Sequence, residues 1–291
     1  LSKLPNKVWN NTNLKWLDPA NGIGNFSIVV YYKLMESLNT KIQNERKRSK
    51  HIIENMLYMV EINTNNVKRC KKIFKLIDPY AKPNLYKGSF LSNDFKSINP
   101  KIQTLFNVNK YDIIMGNPPY NTGSTGRSGE RRLDEVFTIR AFDILKTPKK
   151  YTRSGKVYIE PTGFVLFLIK TGIRSLISKG YNSIINKYIH YSKTYDFSDN
   201  PFKEDVLVNY LLIQNIELTK KQPTIFEYNN IIKKRIIQND MNLYFLPLPK
   251  TLENTIRRDI KKHGDLRNIK RSLKTYKKIN KNTNTNTNTN T

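Results

Sequence analysis

"NLKWLDPANGIGNFSIVVYYKLMESL", residues 13–38, decides the fold class. Leu14 to Leu17 reads as a short strand, Gly22 and Gly24 as a turn, and the residues after them as a helix. Phe26, Ile28 to Val30, Leu34 and Leu38 recur with the 3.6-residue period of one helix face. A strand, a glycine turn and a helix in succession open a crossover unit, which calls for a parallel strand next. "NMLYMVEIN" (55–63) supplies it, after the basic, solvated "QNERKRSK" (43–50). A helix pattern over Thr64 to Ile77 places Val67, Cys70, Ile73, Phe74 and Ile77 on one face. "NLYKGSFL" (84–91) and "YDIIMG" (111–116) read as third and fourth strands.

The alternation continues. Leu133 to Leu145 is a helix pattern, "GKVYIEPTGFVLFLI" (155–169) holds one or two strands, and "RSLISKGYNSIINKYI" (174–189) reads as another helix. "EDVLVNYLLIQNI" (204–216) is β-prone and follows the turn-rich "TYDFSDNPF" (194–202). Strands alternating with helices predict an α/β chain with a mostly parallel sheet, closed by an antiparallel edge hairpin. Past Gln222 the pattern weakens, and Thr251 to Lys262 is helix-like and basic. The terminal "NTNTNTNTNT" has no apolar residue to bury and is expected to be disordered. The boundaries read from this are a main domain over 1–217, an extension over 218–270 and a low-complexity tail over 271–291.

Bulk composition narrows the function. The chain has 291 residues, 38% of them hydrophobic and 11% aromatic, enough for a real core. A formal charge of +28 favours a polyanionic partner, with nucleic acid foremost. Lysine and asparagine are abundant throughout, which AT-rich coding also produces. Cys70 is the single cysteine, which excludes an intrachain disulfide and suits a reducing, intracellular and cytoplasmic setting. No run approaches the ~20 apolar residues of a membrane span. His51, His190 and His263 lack metal-ligand spacing, so no metal site is expected. No signal peptide is visible and the first residue is leucine, which reads as a fragment or a processed chain.

Three motifs carry chemistry. In "DPANGIGNF" (18–26), Gly22 and Gly24 allow a sharp turn and close approach of a ligand. Ser27 stands where a dinucleotide fingerprint needs its third glycine, so that signature is not met. Asp18 at the strand end would repel a phosphate and accept from an ammonium, which favours a cationic small cofactor; a plain tight turn accounts for the same residues. Glu61 lies at the carboxyl end of the second strand, where open α/β sheets bind ligands. It can accept both hydroxyls of a ribose or simply be solvated.

"NPPY" (117–120) follows the fourth strand. Pro118 and Pro119 stiffen the loop and hold Asn117 extended. The Asn117 side-chain oxygen and the Pro118 carbonyl are two acceptors suited to one amino group, and Tyr120 offers a face for stacking a planar ring. A proline-stiffened turn capped by Asn117 is the structural alternative.

"DPANGIGNF", a strand-end Glu61 and "DIIMGNPPY" in this order resemble the S-adenosylmethionine-dependent DNA adenine-N6 methyltransferases, over roughly Lys15 to Ile216. The resemblance implies a Rossmann-like methyltransferase sheet with a small C-terminal extension for DNA recognition. It implies S-adenosyl-L-methionine as cofactor and DNA as partner. Asp18, Ala20, Gly22 and Gly24 would line the methionine end of the cofactor, with Glu61 on its ribose and Asp94 of "SNDF" at its adenine. Asn117 and Pro118 would accept from the target amine beside Pro119, while Tyr120 stacks on a flipped base. Arg127, Arg131 and Arg132, in the polar loop 121–132, would touch phosphates or lie in a plain exposed loop. Similarly, the helix around Arg257 and Arg258 would serve target recognition or be a solvated face.

Departures from the family pattern are specific. "GS" at Gly88 and Ser89 stands where "GD" is usual, and Asn21 replaces a common cysteine. Only 17 residues precede Asp18, so the cofactor-binding segment this class carries ahead of that motif is expected to be absent or short. No nuclease centre is visible, so a fused restriction activity is not supported, and whether a separate restriction endonuclease is a partner stays open. The competing readings are a protein glutamine methyltransferase, which also uses "NPPY", methylation of a cytosine amine, and a truncated, inactive DNA-binding remnant.

Overall fold

A computed structural model describes residues 1–120, 132–170, 187–195, 208–217, 223–228 and 231–236. All belong to the unit Leu1–Leu246; the second unit, Pro247–Thr291, lies outside them. The expectations for loop 121–131, for most of the 174–189 helix, for the basic helix at Arg257 and for the terminal repeat also lie outside the described residues.

The first crossover forms as its sequence predicts. β1 (Trp16–Asp18) runs into the glycine turn, and α2 (Asn25–Ser37) starts behind Gly24, whose φ of 106° suits a residue without a side chain. A short helix, α1 (Asn6–Trp9), precedes β1. The basic stretch 43–50 is largely a helix, α3 (Glu45–His51), and not only a solvated run. A π-helical turn, Ile52–Met56, feeds β2 (Leu57–Glu61). Next comes α4 (Thr64–Ile77), with the bounds its periodicity predicts; the Asn63 side chain caps it by accepting from the Asn65 and Asn66 amides. β3 (Asn84–Lys87), α5 (Pro100–Phe106), β4 (Ile113–Gly116) and α6 (Leu133–Ile144) complete the first half.

A small separate hairpin follows, β5 (Lys150–Arg153) and β6 (Lys156–Ile159), and then β7 (Phe164–Ile169). The last strands are β8 (Lys187–Tyr195), β9 (Val208–Glu217), β10 (Pro223–Tyr228) and β11 (Ile231–Ile236). β8 corrects the end of the expected helix over 174–189: Lys187 to Ile189 are extended and pair with β9.

The nine-stranded sheet has the order β11-β10-β8-β9-β7-β4-β1-β2-β3. β3, β2, β1, β4 and β7 are mutually parallel. β9 is antiparallel to both neighbours and is inserted between β7 and β8. The hairpin at the edge is β10–β11, beyond residue 217. The fold class is the expected one: α/β, mostly parallel, with antiparallel strands toward one edge.

The central strands are nearly continuous apolar runs because both faces are covered. Trp16, Met59, Ile113, Met115 and Leu166 pack toward α1 to α4. Leu17, Val60, Ile114, Val165 and Phe167 pack toward α5 and α6. Helix α2 departs from its simple stripe. Val29 is 55% exposed, while Ser27 is buried because its hydroxyl donates to the Asn21 Oδ1 at 2.8 Å.

The amino ends of the strands are tied by Asp112. Its carboxylate accepts from the Lys15 amide at 2.8 Å and the Thr162 hydroxyl at 2.7 Å, and pairs with Lys146 at 2.9 Å. The winding order switches between β1 and β4, with β2 and β3 added on one side of β1, and β4 and β7 on the other. The crevice at their carboxyl ends is the place where open sheets of this kind bind ligands.

Candidate active site

Both motifs meet at that crevice. Asp18 ends β1 and Gly116 ends β4, the strand beside it. Gly116 has φ 153°, and a Cβ there would lie 2.7 Å from the Asp18 Oδ1. A glycine before Asn117 is therefore a steric need of the Asp18 carboxylate.

Asp18 is fully buried. Its Oδ1 accepts from the Ala20 amide at 3.1 Å, while its Oδ2 has no partner among the described residues. Burial pushes the carboxyl up to about 7, the Ala20 hydrogen bond opposes that rise, and the Glu61 charge adds to it. An orphaned buried carboxylate oxygen is costly unless a ligand donor meets it.

The glycine turn is held from two sides. The Asn21 amide donates to the Val60 carbonyl at 2.9 Å, and the buried Asn21 side chain bonds to Ser27 and to the Cys70 sulfur. Asn21 in place of a cysteine thus anchors the turn to α2 and α4. The Gly22 amide donates to the Glu61 Oε2 at 2.7 Å, and the Asn63 amide donates to Oε1 at 2.6 Å. Two backbone donors fix the orientation of Glu61, and each oxygen keeps further acceptor capacity. Gly22 has φ 58° with open space around it, so backbone conformation and not crowding selects glycine there.

A cavity of about 500 Å³ opens at this edge, a size that takes a nucleoside-like ligand. Ala20, Glu61 and Asn117 line it, so the structure brings residues of all three predicted motifs to one space. Pro119 lines it as well; Pro118 is buried behind it, and Tyr120 is half-buried at the end of the described loop. The Asn117 Oδ1 is buried without a partner among the described residues. Among the described residues no lysine or arginine lines the cavity.

Asp94 is placed elsewhere. It is exposed, and its Oδ1 accepts from the Ser92 hydroxyl at 2.7 Å and the Lys96 amide at 3.1 Å. The neighbouring Phe95 lines the cavity instead, with Ser89 and Phe90 of the "GSF" run. Ile62, 70% exposed beside Glu61, forms another apolar wall, and Leu133 and Phe137 of α6 a third. Sequence reasoning sought an acid in this region and missed the apolar set. The one available signal was Ile62, an isoleucine just past a buried strand end.

Arg132, a candidate phosphate contact, turns toward protein. Its guanidinium pairs with Asp134 at 2.8 Å and Glu135 at 2.7 Å, and the buried Asp134 carboxylate also accepts from the Lys170 amide at 2.8 Å. The Leu133 amide donates to the Tyr120 carbonyl at 3.2 Å, so the ends of loop 121–132 meet at the cavity rim. Among the described residues no group of His, Cys, Asp and Glu could hold a metal ion, and no helix is long and apolar enough to cross a membrane.

No family model matches the chain. A Mycoplasma pneumoniae protein named as an uncharacterized adenine-specific methylase is 24% identical, the match covering 47% of each chain. Among solved structures, the modification protein of the type I restriction enzyme EcoKI superposes with a TM-score of 0.54 at 11% identity, over 77% of this chain and 47% of that one. A modification subunit assigned to a type I restriction enzyme of Vibrio vulnificus YJ016 gives 0.52 at 17% identity, over 76% and 44%. The fold is shared with restriction-modification subunits. The chain spans just under half the length of these relatives, and at such identities the likeness concerns the fold.

Proposed function

We propose that this chain carries an S-adenosylmethionine-dependent methyltransferase domain acting on the exocyclic amine of adenine in DNA. The observation that carries the proposal is the convergence of Ala20, Glu61 and Asn117 on one cavity, with the Asn117 oxygen orphaned and the orphaned buried oxygen of Asp18 just behind the Pro19–Ala20 wall. Both the relative named as an adenine-specific methylase and the basic charge of +28 support DNA over a protein amide as substrate. DNA is the proposed partner, with a separate restriction subunit as a second.

When bound, the cofactor would supply an electrophilic methyl group on a sulfonium. Asp18 would accept from its ammonium, the Gly22–Gly24 turn would let it approach the backbone, and Glu61 would accept from its ribose hydroxyls. The apolar walls from Ile62, Phe90 and Phe137 would flank a flat ring.

On the substrate side, the target base must leave the duplex, at a cost of a few kcal/mol. The Asn117 Oδ1 and the Pro118 carbonyl would accept hydrogen bonds from the two amine N–H groups, drawing the nitrogen toward tetrahedral geometry with its lone pair directed into the cavity. Tyr120 would stack on the ring. Pro118 and Pro119 stiffen this holder, so little freedom is lost when the base arrives. Catalysis by this site is chiefly positioning.

The test is incubation with methyl-labelled cofactor and separate DNA and protein substrates. Label is expected on adenine N6 in DNA. Label in protein glutamine, with none in DNA, would overturn the proposal, and label on cytosine would change the base assignment.

A further inference from the structure

Among the described strands the hairpin β5–β6 stands apart from the main sheet and pairs only with itself, and it is exposed along nearly its whole length. Its register places Tyr151 opposite Tyr158 and Arg153 opposite Lys156. Alternation along a strand puts these four side chains on one face. The two tyrosine rings stack at 5.5 Å between centroids, with 14° between their planes. Ser154 and Gly155, with φ of 50° and 70°, make the two-residue turn that fixes this register.

The arrangement is locally unfavourable. Like charges directly opposite each other destabilise a strand pair, and an isolated two-stranded hairpin is marginal in water. Tyr151 and Tyr158 are 48% and 37% exposed, so they bury little to offset those costs. An anion between Arg153 and Lys156 removes the repulsion, and the adjoining aromatic pair suits a ligand with flat or apolar parts beside its charge. Lys149 adds another exposed cation at the hairpin's base.

The hairpin lies between α6 and the start of β7, so it belongs to the amino-end edge of the sheet, whereas the cavity is at the carboxyl-end edge. We infer that the Tyr151–Tyr158 and Arg153–Lys156 face of this hairpin is a second DNA contact, gripping the sugar–phosphate backbone apart from the catalytic cavity. The inference rests on the proposed function only for the choice of DNA as the polyanion.

The test is binding of the whole chain to a duplex of about 40 base pairs across a salt titration. The double variant R153Q/K156Q removes two phosphate contacts and should make the slope of log K against log salt shallower by about 1.8, at 0.9 per contact. It also removes a like-charge pair, so unfolding of the hairpin is not expected to cause the loss. A control, K68Q/K71Q, takes the same charge from the exposed face of α4 and should leave the slope unchanged. Tyr151→Ser should weaken binding with the slope retained. Equal slope changes in R153Q/K156Q and the control, or none in R153Q/K156Q, would overturn the inference. Methyl transfer is read separately: wild-type binding without transfer counts against the proposed activity and not against the hairpin.

Discussion

Asp18→Asn should make the cofactor-free protein more stable while removing its ability to hold a cofactor. Burial sets the folded carboxyl at about 7 against an ordinary 3.8. At about 1.4 kcal/mol per pH unit, the ionised form costs the folded state about 4 kcal/mol above pH 7. The sign follows from proton uptake. Between pH 3.8 and 7 the folded state keeps a proton that the unfolded chain has lost, so stability falls as pH rises through this window. At pH 5 the cost is still only about 1.6 kcal/mol, and it levels off above 7.

Asparagine cannot ionise. Its Oδ1 can still accept from the Ala20 amide, but its buried amide nitrogen is unpaired and costs roughly 1–3 kcal/mol. The net gain at pH 8 is about 1–3 kcal/mol, or roughly 2–10 °C in Tm. The gain should exceed that at pH 5 by about 2 kcal/mol. Scanning calorimetry at both pH values, with and without cofactor, reads this directly. Cofactor should raise the wild-type Tm and leave the variant unmoved. A difference between wild type and variant that does not change with pH would refute the reasoning, because it would mean that the Asp18 charge is not what burial penalises.

Cofactor affinity of the wild type should fall up to about tenfold per pH unit below 7, since a proton on Asp18 competes with the cation; calorimetric titration from pH 5.5 to 8 checks this. Asn117→Ala should lower the transfer rate by about 100-fold or more with cofactor binding retained, measured by single-turnover transfer beside calorimetry. Gly116→Ala sets a methyl group 2.7 Å from the Asp18 Oδ1 and should weaken cofactor binding more than it lowers Tm. Asp134→Ala leaves the Lys170 amide without its acceptor and Arg132 paired with Glu135 alone, and should cost about 1–3 kcal/mol in chemical denaturation.

The sequence by itself determined the strand–turn–helix order, the sheet class and the three motif positions. Each is a local property: periodicity marks α4, glycine and proline mark the turns, and a carboxylate at a strand end needs no partner to be noticed. Only the tertiary structure decided what those residues share. That Gly116 must lack a side chain follows from the approach of Asp18 from a different strand, almost a hundred residues earlier in the chain. Asp94 and Phe95 are adjacent in sequence, yet one turns to solvent and the other into the cavity, a choice made by a turn bonded through Ser92 and Lys96. Arg132 read as a free cation because its partners, Asp134 and Glu135, read as ordinary helix-start acids. The insertion of β9 between β7 and β8 was likewise invisible, because a β-prone run carries its burial but not its neighbours. Pairing is a matter of which backbone groups meet across the sheet, and that is set only when the whole sheet forms.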